Sequence, residues 1–328
     1  MIRARAFLGA FLGALLAALL FLAGPPARAE SYPSRQITLI IPFAPGGSND
    51  LVGRAIGKRL SEVWGQPVVI ENRGGGGTLI GTAAVAKAPP DGYTLLLVSP
   101  TFTINAAVKK TMPFDTVKDF TPVAFIGRAP LLVATSNRLP AASARELFAL
   151  ARSKPGQITY ASAGLGSINQ ISTELIALLA GVKLTHIPYK GGAPALNDLA
   201  GGHVDIYVSS IPQALQLVRS GQIKTLAVTS RKRLAILPDV PTLEESGTPG
   251  AELGTWWGIV GPAGMQADVV AVLNAEINNA LNAPEIGAFL AHEGAEAEAM
   301  TPRQFGDMMR RETERWTKVA HDTNMSID

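Results

Sequence analysis

From Glu30 onward, short runs rich in β-branched residues alternate with stretches whose apolar residues recur at helical spacing, and this alternation constrains the fold most. Strand, amphipathic helix and strand in succession bury their apolar faces most simply as an α/β structure with largely parallel sheets. The strand-like runs are Gln36 to Ile41, Pro67 to Glu71, Thr94 to Ser99, Pro122 to Ile126, Leu131 to Thr135, Ile158 to Ala161, Val204 to Val208 and Lys224 to Thr229. Helical stretches lie between them at Asn49 to Trp64, Ser143 to Ser153, Ile168 to Ala180, Pro194 to Ala200 and Pro212 to Ser220. In the C-terminal third the alternation stops. Ala267 to Asn282 and Pro302 to His321 both read as helices, the second opened by Thr301-Pro302, an N-cap followed by proline at the first helical position. Such an ending has to pack on a surface already formed.

The chain has 328 residues, 47% of them hydrophobic and 17% charged, which excludes intrinsic disorder for its bulk and is enough for two domains. The formal charge of +3 comes from Arg3, Arg5 and Arg28, which lie in a first segment that carries no acid. Without that segment the charge is balanced, so there is no argument for a nucleic-acid partner, which would require a basic face. Cysteine is absent, which removes disulfides, thiolate metal sites and Cys nucleophiles together.

The first segment has the order of a secretory signal. Arg3 and Arg5 precede an uncharged apolar stretch from Phe7 to Ala23, Gly24-Pro25-Pro26 ends it, and Ala27-Arg28-Ala29 supplies small residues for a cut after Ala29. The competing reading is an uncleaved anchor, since about 17 apolar residues is near the lower limit for a membrane span. Cleavage would leave a mature protein in the periplasm, not embedded in the membrane.

One local design occurs twice. The strand Ile37 to Ile41 leads through Pro42-Phe43-Ala44-Pro45-Gly46-Gly47-Ser48 into a helix opened by Asn49-Asp50, and the strand Ile158 to Ala161 leads through Ser162-Ala163-Gly164-Leu165-Gly166-Ser167 into a helix from Ile168. Each turn places small residues and free amides at a helix N-terminus, where unsatisfied donors and the helix dipole favour an anion. Neither contains Lys or Arg, so a site built from both would hold a carboxylate with amides and hydroxyls rather than a salt bridge. Either loop alone is equally plain turn chemistry; two of them, one in each half, are better explained by a cleft between lobes. Arg73-Gly74-Gly75-Gly76-Gly77 before Thr78 reads either as a third set of amides or as a flexible connection. Asp205, in the apolar run Val204 to Val208, either accepts bonds from a nearby loop or faces the cleft, because a carboxylate is costly to bury without donors.

Enzyme signatures are missing. Gly164-Leu165-Gly166 has Asn169 where a dinucleotide fingerprint needs its third glycine, and neither a P-loop nor a Gly-x-Ser-x-Gly elbow occurs. His186, His203, His292 and His321 are scattered without metal-ligand spacing and read as surface or satisfied core histidines. No cofactor or metal is implied.

Several longer stretches resemble one family. They include Ile41 to Asp50, Val69 to Gly77, Ala88 to Leu95, Tyr160 to Ser167, His186 to Ala195, Gly201 to Asp205 and Leu237 to Thr242, within a match spanning residues 31 to 322. In these the chain resembles the periplasmic substrate-binding proteins of tripartite tricarboxylate transporters, the Bug family. The resemblance implies a two-lobed Venus-flytrap fold of the type II periplasmic-binding-protein class, each lobe a mixed sheet flanked by helices. It implies a small carboxylate held between two loops, with Phe43, Ala44, Gly47, Ser48 and Asp50 in the first loop and Ser162, Ala163, Gly164 and Ser167 in the second. Asp205 is a further cleft candidate. One departure is Ile168-Asn169-Gln170, where many relatives carry a ring-bearing residue.

Both loops must face one ligand from the C-terminal edges of separate sheets, so the chain has to leave the first lobe before Ser162 and return after Asp205. This places lobe 1 at residues 30–129 and 230–328 and lobe 2 at 130–229. The expected function is a monomeric periplasmic receptor, not an enzyme, that delivers its carboxylate to the membrane subunits of a transporter. The alternatives are a sensory receptor signalling to a sensor kinase, and a hydrolase with Ser48 or Ser167 as nucleophile, which would need a base that no motif supplies. Gly47 is expected to tolerate no β-branched side chain, because the backbone should approach the ligand there with φ potentially positive.

Overall fold

The computed structural model describes residues 32–292 and 294–323, so the apolar first segment and its cut after Ala29 lie outside the described residues. All the elements below belong to the unit that begins at Arg35. Strands β1 (Ile37–Ile41), β2 (Val68–Asn72) and β3 (Thr94–Val98) pair in parallel in the order β2-β1-β3, each a short β-branched or leucine-rich run. Strand β4 (Phe120–Ser136) is 17 residues long and belongs to two sheets. Its residues 120–130 pair antiparallel with β9 (Gly254–Pro262), which itself pairs antiparallel with β3. Its residues 131–136 lie antiparallel to both β7 (Ile206–Ser210) and β8 (Ile223–Val228). The second sheet continues in parallel through β5 (Thr159–Ser162) to β6 (Thr185–Pro188), and β10 (Glu296–Ala297) adds a short pairing at Gly127 and Arg128.

The sequence suggests two strands, Pro122 to Ile126 and Leu131 to Thr135, where the protein has one. The intervening Gly127-Arg128-Ala129-Pro130 reads as an interruption because proline cannot donate to a ladder. Pro130 sits where pairing with β9 ends opposite Gly254 and the next amide, of Leu131, donates to Thr229 Oγ1 at 2.8 Å. At that changeover a missing N–H costs little. Strand β9 is not legible in the sequence, because Gly254, Gly258 and Gly261 break its β pattern. Gly258 is there for packing: a Cβ would clash with the Cζ edge of the Phe305 ring.

Helices α1 (Ser48–Trp64), α2 (Leu79–Ala86) and α3 (Pro100–Val108) follow β1, β2 and β3, and α4 (Ala144–Ser153), α5 (Ile168–Ala180), α6 (Gly192–Gly201) and α7 (Ile211–Arg219) follow β4 to β7. The chain ends in α8 (Ala267–Leu281), α9 (Pro284–His292) and α10 (Pro302–Thr323). Thr301 opens α10 with a capping box: Gln304 N–H donates to Thr301 Oγ1 at 3.2 Å and Thr301 N–H to Gln304 Oε1 at 2.9 Å.

The first core collects Ile40, Leu96, Phe125 and Val260 with Phe305 and Met309 of α10. The second sheet has a core on each face, one including Leu131, Leu147, Ile171 and Val208, the other Leu132, Tyr207, Ile211 and Leu215. The C-terminal helices do pack on the first sheet, but the end of α10 reaches further, with Trp316 and Ala320 in the cluster of Leu131 and Tyr160. Residues 230–253, expected in lobe 1, pack on the second sheet instead. Val228 N–H donates to Pro241 O at 2.9 Å, Leu243 N–H to Val228 O at 3.0 Å, and Leu237 joins the cluster of Leu132. The return to the first sheet falls at Leu253-Gly254, next to Pro130. This segment carries no periodic pattern, so its attachment cannot be read from the sequence.

Among the described residues no helix is long and apolar enough to cross a membrane.

Candidate functional site

Strands β1 and β3 of the first sheet and β5, β6 and β7 of the second each run at their C-terminal end into a helix. Those helix starts meet around one cavity. Its wall takes Gly47, Ser48 and Asn49 from α1, Ser99 and Thr101 from α3, Ile168 and Asn169 from α5, Gly192 from α6, and Ser210 and Gln213 from α7, with Phe43, Ala163 and Thr255 completing it. No charged side chain lines it. Five helix N-termini thus converge, each carrying about half a positive charge in partial charges on its amides. A negative group placed among them replaces its hydration shell with amides and hydroxyls already oriented.

The polar side chains are partly uncommitted. Ser99 and Ser210 occupy N-cap positions with no side-chain capping bond, and Ser210 Oγ and Asn49 Oδ1 are buried without a hydrogen-bond partner. An unpaired buried polar atom costs about 1 to 3 kcal/mol, so a carboxylate that accepts from the Ser210 hydroxyl recovers that cost there, whereas Asn49 Oδ1 is itself an acceptor and takes a donor such as a water. The cavity encloses about 20 Å³, close to the room one water needs. A carboxylate is larger and can enter only if the walls part.

Of the residues expected in the site, Phe43, Gly47, Ser48 and Ala163 line this cavity. Ala44 lies beside it and donates its N–H to Lys190 O at 3.3 Å, a bond between the two sheets' loops. Gly164 lines a neighbouring cavity together with Phe43 and Ala163. Ser162 and Ser167 serve the second turn from within. Ser162 Oγ lies 2.7 Å from His186 Nε2 and accepts from Gly164 N–H at 3.2 Å, while Ser167 Oγ caps α5 by accepting from Gln170 N–H. Burial pushes the His186 imidazole below its ordinary pKa, which favours the neutral ring. Ser99, Thr101, Asn169, Ser210 and Gln213 were not legible as site residues. Ser99-Pro100 and Ser210-Ile211-Pro212 do carry a helix-start signal directly after a strand, and that signal could have flagged them.

Two expectations need correction. Asp205 is not at the cavity. It precedes β7 at the N-terminal end, whereas Ser210 closes the other end, and its Oδ2 accepts from Thr159 N–H and Oγ1, both at 2.8 Å. The apolar run Val204 to Val208 marked the strand two residues early and could not say which end of it faces the cleft. Gly47 has φ −83°, so the left-handed position is Gly46, at φ +83°. A β-branched side chain at Gly47 would act by filling the cavity rather than by straining the backbone.

Asp50 does not line the cavity either; it holds the first loop in shape. Its carboxylate accepts from Gly46 N–H, Arg54 Nε and Asn72 Nδ2, each at 2.9 Å, and Asn72 Nδ2 also reaches Phe43 O at 3.2 Å. Burial works to raise its pKa, but the Arg54, Gly46 and Asn72 bonds and the Arg54 charge outweigh it and hold the carboxyl below the usual range. Asp50→Ala should therefore lower stability at neutral pH by about 1 to 3 kcal/mol, because three hydrogen bonds to the buried carboxylate are lost while their part-exposed donors turn to water. A folded pKa below the unfolded one contributes stability that is present above 3.8 and lost as pH falls through the lower folded value. Urea unfolding at neutral pH and near pH 3 should thus show the gap between wild type and variant narrowing in acid.

Two sheets sharing one long strand, with an uncharged polar cavity where their helices begin, define an α/β binding protein of the two-lobed, periplasmic-binding class. The family model described as "Tripartite tricarboxylate transporter family receptor" matches residues 52–325, and the chain belongs to that family. Among solved structures it is similar to an R. palustris protein solved with adipate (38% identical, TM-score 0.87, covering 90% of this chain and 99% of that one). It is also similar to the periplasmic binding protein BugD (32%, 0.87, 90% and 99%) and to MatC from Rhodopseudomonas palustris with bound malate (32%, 0.85, 88% and 99%).

Proposed function

We propose that this chain is a periplasmic receptor that captures a small carboxylate-bearing metabolite in the helix-start cavity and presents it to the membrane subunits of a tripartite tricarboxylate-type transporter. The observation that carries the reading is the convergence of five helix N-termini on one cavity without a charged side chain. Family membership and the adipate and malate complexes of similar proteins support it. The signal segment, cut after Ala29, would deliver a monomer to the periplasm.

Capture works by a hinge. Of the described residues from Arg35 on, lobe 1 comprises those to Pro130 together with those from Gly254 to Thr323, and lobe 2 is residues 131–253; the crossings lie side by side where β4 changes partners. The closed cavity is too small for a carboxylate, so the lobes part to admit it and close to exclude water. The Ser162–His186 pair lends no support to a hydrolase, because Ser162 is fully buried within its turn.

Calorimetry on protein starting at Glu30 tests the reading. Heats of binding are expected for small mono- or dicarboxylates and none for sugars or the matching amides. Binding confined to uncharged solutes would overturn it.

A further inference from the structure

A second cavity of about 370 Å³ adjoins the first and shares Phe43 and Ala163 as a common wall. Its chemistry is different. The glycine loop Gly75 to Gly77 with Thr78 forms one side, the turn at Gly164 and Leu165 and the residues Tyr189 and Lys190 form the other, and Lys109 stands at the junction. The stem of Lys109 lies where the loops of the two lobes meet: its Cε is 3.8 Å from where a Cβ would sit on Gly77 and equally from one on Gly166. No acidic side chain lines the cavity, and neither Lys109 nor Lys190 enters an ion pair among the described residues. The nearby phenol of Tyr189 is committed to Asp198 at 2.6 Å. Two lysines, one from each lobe, thus line a space that adjoins the uncharged cavity across Phe43 and Ala163.

We propose that this outer cavity is a second anion subsite, in which Lys109 and Lys190 take the far carboxylate of a ligand whose first carboxylate lies among the helix N-termini. The proposal rests on the reading of the inner cavity given above. It makes the receptor selective for dianions: the inner subsite recognises any carboxylate through neutral donors, and the outer one adds charge recognition only when both lobes have closed. An ammonium on each lobe also means that a dianion bridges the two lobes, whereas a monoanion leaves like charges facing each other across the seam.

The test uses calorimetry with straight-chain α,ω-dicarboxylates of about four to seven carbons and their monoamides, against wild type and the Lys109→Met and Lys190→Met variants. Wild type is expected to bind its best dicarboxylate about tenfold or more tighter than the corresponding monoamide. Each variant is expected to lose about five- to tenfold for the dicarboxylate while its affinity for the monoamide stays the same, which also certifies that the variant is folded. Raising the salt concentration should narrow the wild-type preference. Equal affinity for diacid and monoamide, or equal losses for both ligands in the variants, would overturn the outer subsite while leaving the inner one standing. If no carboxylate of either kind binds, the inner reading falls and the outer subsite with it.

Discussion

Gly77→Ala should reduce carboxylate affinity by at least about a hundredfold while leaving the unfolding midpoint nearly unchanged. Gly77 has φ +65°, and a Cβ there would clash with the carbonyl oxygen of Leu165, which belongs to the opposite lobe. A backbone oxygen held in a turn cannot swing aside as the end of a side chain can. The left-handed conformation costs a non-glycine residue about 1 kcal/mol within its own lobe, but the clash arises only when the lobes meet. Closure therefore bears nearly the whole penalty, and a hundredfold loss corresponds to about 2.7 kcal/mol. Small-angle scattering should show the ligand-dependent fall in radius of gyration for wild type and not for the variant. A variant that binds and compacts normally would mean that the lobes do not close through this seam.

Ser210→Asp is expected to abolish carboxylate binding without destabilising the protein. A carboxylate installed at the N-cap of α7 stands where the ligand's charge should sit, and at ~4 Å the repulsion between the two is about 4 kcal/mol at an effective dielectric of ~20, close to a thousandfold in affinity. Burying a carboxylate ordinarily costs several kcal/mol. Here the amides at the start of α7, which no side chain caps, receive it instead, aspartate is a good N-cap, and each helix start contributes about 0.3 to 1 kcal/mol. The unfolding midpoint at neutral pH should hold or rise. Ser210→Ala, which removes one hydroxyl, should cost only about 1 kcal/mol of binding. A fall of several kcal/mol in the stability of Ser210→Asp would show that the cavity repels negative charge.

The two loops that close on the cavity were legible because glycine, serine and proline between a strand and a helix leave few other conformations open. Phe43, Gly47, Ser48 and Ala163 lie in those loops, and the family resemblance is what singles them out there. The α3, α6 and α7 starts carry similar turn signals, yet their meeting at one point is tertiary and no local pattern encodes it. Asp205 illustrates the limit: the run Val204 to Val208 marked a strand that spans Ile206–Ser210, and facing the cleft depends on strand direction within the sheet. Asp50 was placed in the right loop with an unforeseen role, since its partner Asn72 comes from β2, 22 residues away. Residues 230–253, expected with the first sheet, pack on the second through bonds such as Leu243 N–H to Val228 O and through apolar residues such as Leu237, and no periodic pattern in the segment announces this.

A crystal structure grown with a saturating α,ω-dicarboxylate tests the central claim most directly. One carboxylate is expected between the lobes, its oxygens about 2.7 to 3.0 Å from backbone amides at the starts of α1 and α5 and from Ser210 Oγ, with no Lys or Arg touching that end. A carboxylate held there by a guanidinium or ammonium group, or a ligand lodged away from these helix starts, would contradict it.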